Sequence, residues 1–237
     1  MKTKISILLL SFLFSASGVF AHALWIETTS TGKKGQSQEV KVFFGEYEAG
    51  ERDSIQKWFS NLKEFSLVLT APNGTTKKLN ATADVLFFKA VFTPEQDGLY
   101  KLSIVHEVKD LYEKAKIEYY AFADVAVGRS AKVGTPFPAE ALLSIRLGKP
   151  VLKVGEAASH EVLYKQAPAA KQKLTIIGAD GKKQEIETDP AGKFTFTPAQ
   201  KGGHFLESFT EEKTSGSLNG KDYEKIWHVV TYFAQAI

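Results

Sequence analysis

A seven-residue segment recurs in this chain with five of its seven residues unchanged. Phe92-Thr93-Pro94-Glu95-Gln96-Asp97-Gly98 returns as Phe196-Thr197-Pro198-Ala199-Gln200-Lys201-Gly202, 104 residues further on. Upstream of each copy lies a short apolar run that ends in a tight turn: Leu67 to Asn73-Gly74, and Leu174 to Asp180-Gly181. That second offset is 107, so the two connecting hairpins differ in length by three residues. Asn-Gly and Asp-Gly supply the positive φ angles of hairpin turns, and β-branched and aromatic residues dominate the runs on either side. Strand, turn, strand, Phe-Thr-Pro, Gly, strand, in that order twice over, points to duplication. The expected fold is therefore all-β: two immunoglobulin-like or transthyretin-like β-sandwich domains of roughly 100 residues each. Their ranges would be 22–130 and 137–237, meeting in the polar, proline-containing stretch from Gly128 to Pro138. One short helix is expected inside the first. Asp53 or Ser54 would cap it, and Ile55, Trp58, Phe59 and Leu62 fall at i, i+3, i+4 and i+7, the spacing of a face packed on a sheet.

The N-terminus reads as an export signal. Lys2 and Lys4 precede an apolar stretch from Ile5 to Phe14, and Val19 and Ala21 stand where signal peptidase reads small residues. Segment 1–21 is thus assigned as a signal peptide, which places the mature protein in the periplasm or outside the cell. A rival cut after Ala23 also satisfies the pattern. No later apolar stretch approaches the ~18 residues of a spanning helix, so no membrane span is expected after cleavage.

Composition narrows the chemistry. The chain has no cysteine, which removes disulfides, thiolate metal ligands and lipid attachment through a thiol. Any metal site must then draw on histidine, carboxylate and backbone or terminal nitrogens. Two of the 30 basic residues fall in the signal, leaving 28 against 27 acidic ones, so charge gives no case for nucleic acid.

Cleavage after Ala21 would leave His22 first. An N-terminal histidine offers an α-amine and an imidazole nitrogen from one residue, and the amine ordinarily titrates near roughly 7.7–8.0. Such a chelate favours tetragonal coordination, hence Cu²⁺ or Ni²⁺ over Zn²⁺. Further candidate ligands come from strand reading. Pairing the last two strands about a loop centre near Leu218 sets Glu207 opposite His228, within reach of a shared metal or of each other. His106 ends an alternating strand in the first half. The metal-site candidates are therefore His22, His106, His228 and Glu207. No nucleophile elbow, phosphate loop or His-Glu-x-x-His occurs, and no catalytic residue is assigned, which points away from an enzyme.

The opening Ala21-His22-Ala23-Leu24-Trp25-Ile26-Glu27 resembles that of a bacterial exported family of unknown function, one associated with the periplasmic component of cobalt or nickel uptake. Phe44-Gly45-Glu46 with Gly50-Glu51, and Asp180-Gly181 through Thr188 to Pro198 and Gly202, are similar to its later signatures. The resemblance implies an exported two-domain β protein that binds a divalent transition metal (nickel, cobalt or copper) and assists its uptake, with a membrane or outer-membrane metal transporter as partner. Only His22 carries over as a ligand. Two other readings compete: a non-catalytic sandwich module binding a protein or glycan, and a copper-dependent oxidoreductase using an N-terminal histidine brace.

Overall fold

The computed structural model describes residues 22–128 and 136–237. The signal segment 1–21 and residues 129–135 of the expected boundary lie outside the described residues. Within them the chain is nearly all β, and no helix is long and apolar enough to cross a membrane.

A nine-stranded sheet runs through both halves. Its strands lie in the order Lys183–Glu187, Lys173–Ile177, Gly202–Glu212, Lys225–Ala236, Ala115–Val127, Gly98–Glu107, Val68–Thr70 and Thr76–Lys78, with Thr31–Gly32 added alongside Ala115–Val127. The halves meet where Lys225–Ala236 pairs in parallel with Ala115–Val127, from Lys225 opposite Ala115 to Phe233 opposite Ala123. Strands buried on both faces read as nearly continuous apolar runs, and Tyr119 to Val127 is one.

Alternation sorts the central side chains into two cores. Ile117, Tyr119, Ala121, Ala123 and Val125 enter a core with Trp25, Phe44, Trp58 and Phe205. Tyr120 and Phe122 point the other way, into a core with Ile145, Val162, Leu206 and Tyr232. Each core is closed by a smaller sheet. The first has the order Ala23–Thr28, Gln38–Gly45, Phe88–Phe92, Thr82–Ala83. The second is built on Ala158–Tyr164, which pairs with Leu143–Arg146, Ala167–Pro168 and Lys193–Phe196. The result is three layers, with the shared sheet in the middle.

The repeated segment does the same job twice. Phe92 and Phe196 each end a strand of a covering sheet, and Gly98 and Gly202 each begin a strand of the central one. Both glycines have positive φ, 136° and 120°. A Cβ on Gly98 would lie 2.5 Å from Pro72, just before the Asn73-Gly74 turn. One on Gly202 would lie 3.0 Å from Ala179, just before Asp180-Gly181. The second repeated feature thus packs on the first in each half.

Two expectations change. The segment expected to be helical holds two single 3-10 turns, Ile55–Lys57 and Leu62–Glu64. Ile55, Trp58 and Leu62 are buried as their spacing implied, but Trp58 is extended (ψ 130°) and Ser60 is left-handed (φ 52°), which breaks any continuous helix. Ser54 makes no capping bond, and tertiary bonds take over, with the Ile55 amide donating to Val85 O at 3.0 Å. The register of the last two long strands also differs from the expected one. Their intervening hairpin turns at Asn219-Gly220 (φ 52° and 77°), further along than Leu218, so His228 lies opposite Thr210 and Glu207 opposite Thr231. A displacement of three residues puts Glu207 and His228 on opposite faces of the sheet.

Candidate functional site

The site begins where strand Ala23–Thr28 lies across the two central strands. Trp25 is fully buried, and its indole N–H donates to the Glu27 carboxylate at 2.8 Å. The segment after Gln38–Gly45 then folds back over it. Gly45 (φ 151°) permits this, because a Cβ there would lie 2.6 Å from the Glu51 carbonyl oxygen. Backbone bonds close the loop: Glu51 N–H donates to Glu46 O (2.9 Å) and Asp53 N–H to Phe44 O (2.9 Å). The Arg52 guanidinium consequently sits 4.5 Å from the Trp25 ring and 4.7 Å from Tyr47, with Glu27 at 3.6 Å. Cation–π attraction and the ion pair together fix the loop on the strand.

Asp53 leaves that loop beside His22. Its Oδ2 is 3.6 Å from His22 Nε2, and both side chains are partly exposed. The ring of His22 leans on Phe44 (5.6 Å between centroids), and the Tyr119 hydroxyl donates to the His22 carbonyl at 3.1 Å. The first described residue is therefore held in place by its main chain, its ring and a carboxylate.

His106 is buried on the same face of the central sheet, directly opposite Tyr119 across the strand pair. Its Nε2 has no hydrogen-bond partner among the described residues, and burial holds its pKa below the usual histidine range. Glu207 shares this face too, since its partner Thr231 lies opposite Ala121. It is half-buried, and burial pushes its carboxyl up to about 8. Glu207 lines a cleft of about 540 Å³ between residues Glu46 to Glu48 of the loop and the sheet edge formed by Lys173–Ile177 and Lys183–Glu187.

His228 stands apart, fully buried on the opposite face. Its Nδ1 is 3.0 Å from the Tyr120 hydroxyl and 3.4 Å from Glu118, and its Nε2 is 3.2 Å from Glu212. Tyr120 donates to Glu118, and Tyr164 donates to Glu212 at 2.6 Å. Despite their partial burial, hydrogen bonds from His228, Lys116 and Tyr120 hold Glu118 down at about 2, while Lys165, Tyr164 and His228 do the same for Glu212. The geometry is that of a closed structural network.

His106 and Glu207 share one face of the central sheet, the side on which His22 lies, but the structure does not bring the three together, and His228 is on the opposite face. Among the described residues, no group of three or more His, Cys, Asp or Glu converges to hold a metal ion. Asp53 was missed as a site residue because its position before an apolar helical spacing marked it as a cap. Glu118 and Glu212 carry no local motif: the parallel pairing across the halves brings Glu118 to His228, and the antiparallel register of the last two long strands brings Glu212.

Residues 19–212 match the family described as a domain of unknown function (DUF4198). The chain belongs to this family. The match includes His22, the Trp25–Glu27–Arg52 lock and the loop carrying Asp53, and it reaches through Glu212. No curated protein matches the chain.

Proposed function

We propose that this protein is an exported divalent-metal binder, handling Ni²⁺, Co²⁺ or Cu²⁺ in the periplasm and passing it to a membrane or outer-membrane transporter. The observation that carries the reading is the approach of Asp53 Oδ2 to His22 Nε2 at 3.6 Å. A histidine that binds metal ordinarily engages a carboxylate or carbonyl through its other ring nitrogen. Asp53 stands beside Nε2, and the proposed chelate ring joins Nδ1 to the α-amine once the signal is removed after Ala21. The donor chemistry fits the metals named, since it supplies nitrogen ligands and one carboxylate without thiolates. In this reading His22 binds, Asp53 orients the imidazole, and the Arg52–Trp25 lock holds the loop that presents Asp53. The internal repeat supports taking residues 22–130 and 137–237 as two immunoglobulin-like sandwiches, each contributing strands to the shared sheet.

The test is a calorimetric titration of the mature chain with Ni²⁺, Co²⁺ and Cu²⁺. Three forms are compared: wild type, one with a residue added ahead of His22, and His22→Ala. Loss of binding in both altered forms supports the amine–imidazole chelate, because an added residue turns the amine into an amide. Equal affinity in all three removes the metal reading. A mature chain that starts at Leu24 removes it as well.

A further inference from the structure

We propose that the cleft between the loop at Glu46 to Glu48 and the sheet edge is a second, separate site, built for an organic cation: an ammonium or guanidinium on a short aliphatic chain. The cleft forms where the N-terminal sheet stops short of the edge of the central one. Its volume of about 540 Å³ lies within the range of small-molecule sites, roughly 300–1,000 Å³. Neither His22 nor Asp53 lines it, so it is independent of the metal reading.

Three observations select the ligand class. The first is the carboxylate of Glu207, which makes no hydrogen bond or ion pair with any described residue although it is half-buried. A carboxylate in that position is costly to ionise alone and gains from a cation delivered to it. The second is charge balance. Glu46, Glu48, Glu185 and Glu187 line the cleft with Glu207, against only Lys173 and Lys183. Lys183 is already committed to Glu48 at 3.0 Å and Glu185 at 3.3 Å. The third is the wall. Tyr47 stacks on Phe205 at 4.3 Å between centroids, and Phe209 and Ile177 extend the apolar surface. Phe205 and the Arg52 guanidinium already occupy the Tyr47 ring, so the wall offers apolar surface for an aliphatic stem and leaves the charged end of the ligand to Glu207. A bare metal ion would need several convergent oxygens, and no such group is present among the described residues.

The probe pair is 1,6-diaminohexane and its neutral counterpart 1,6-hexanediol, titrated calorimetrically into the full chain. The diamine is expected to bind at one site and the diol not at all. Affinity should rise at least tenfold between about pH 6 and about pH 9 as Glu207 ionises while the amines stay charged. Glu207→Gln should weaken binding at least tenfold and flatten that pH dependence, with an unchanged near-ultraviolet dichroism spectrum showing that the fold persists. Glu48→Gln, which leaves Glu207 in place, should weaken it only a few-fold. Four results would overturn the proposal: no diamine binding, equal binding of the diol, an unchanged affinity in Glu207→Gln, or displacement of the diamine by NiCl₂. The last would assign the cation to a metal site instead.

Discussion

Glu207 and the pair Glu118 and Glu212 are glutamates in strands of one sheet, and they titrate in opposite directions. Glu207 is raised to about 8 from 4.5, so between those values the folded chain binds a proton that the unfolded chain has released. Stability should therefore fall as pH rises through that window. Glu207→Gln removes the effect: urea denaturation should find it close to wild type near pH 5 and more stable near pH 9. An equal or lower midpoint at pH 9 would show that the carboxylate is compensated in solution. Glu118 and Glu212 are depressed to about 2, so their contribution is in place above about 4.5 and is lost as pH falls toward 2. His228→Leu leaves both without their shared partner. Lys116 still pairs with Glu118 and Lys165 with Glu212, so the cost is that of lost buried hydrogen bonds, about 1–3 kcal/mol, and the acid limb of the stability profile should become shallower in the variant. His22 was singled out from the expected signal cut and its place in the chain, and the structure adds the Asp53 carboxylate beside it. Glu207 was chosen for a neighbour it does not have, and its actual surroundings depend on a sheet edge that no local pattern announces.

At the scale of elements, periodicity reported burial more faithfully than backbone conformation. Ile55, Trp58 and Leu62 are buried as a helical face would be, yet the chain reaches that arrangement through two 3-10 turns. A segment this short gains too little from its own hydrogen bonds to dictate conformation, so tertiary contacts decide it. Turn chemistry had the opposite strength. The Phe-Thr-Pro and Gly positions were legible because a strand must stop and a glycine must take positive φ there. The loop from Gly45 to Asp53 shows what such a glycine holds in place. Gly45→Ala forces a methyl to within 2.6 Å of a backbone oxygen at a φ that side chains rarely adopt. We expect a loss of about 2–3 kcal/mol, read by thermal or urea unfolding. Nickel affinity should fall by the same factor as in Asp53→Asn, because either change withdraws the carboxylate from His22. A Gly45→Ala protein with native nickel affinity would separate the loop from the site.

The whole molecule is organised by one pairing that the sequence could not display. Duplicated halves suggest independent domains, but Ala115–Val127 and Lys225–Ala236 complete a single sheet in parallel, with both faces of that seam buried. Parallel neighbours need no hairpin and leave no turn signature, so sequence spacing is silent about them. Each half produced alone would expose a long apolar strand edge, the feature that drives aggregation. Residues 22–130 and 136–237 expressed separately are therefore expected to be insoluble or to self-associate. Co-expressed, they should assemble one-to-one and melt in a single transition, as the intact chain should by calorimetry. Two soluble monomeric fragments with separate transitions would show that the seam contributes little. The consequence reaches the sites, because the cleft joins Tyr47 from the first half to Phe205, Glu207 and Lys183 from the second. Weakening the seam at Val230, which packs beneath it with Tyr120 and Leu206, should reduce diamine binding before it affects metal binding at His22. Val230→Ala, expected to cost about 1–3 kcal/mol as a buried truncation, supplies the comparison, and equal losses at both sites would mean that the two halves respond as one rigid body.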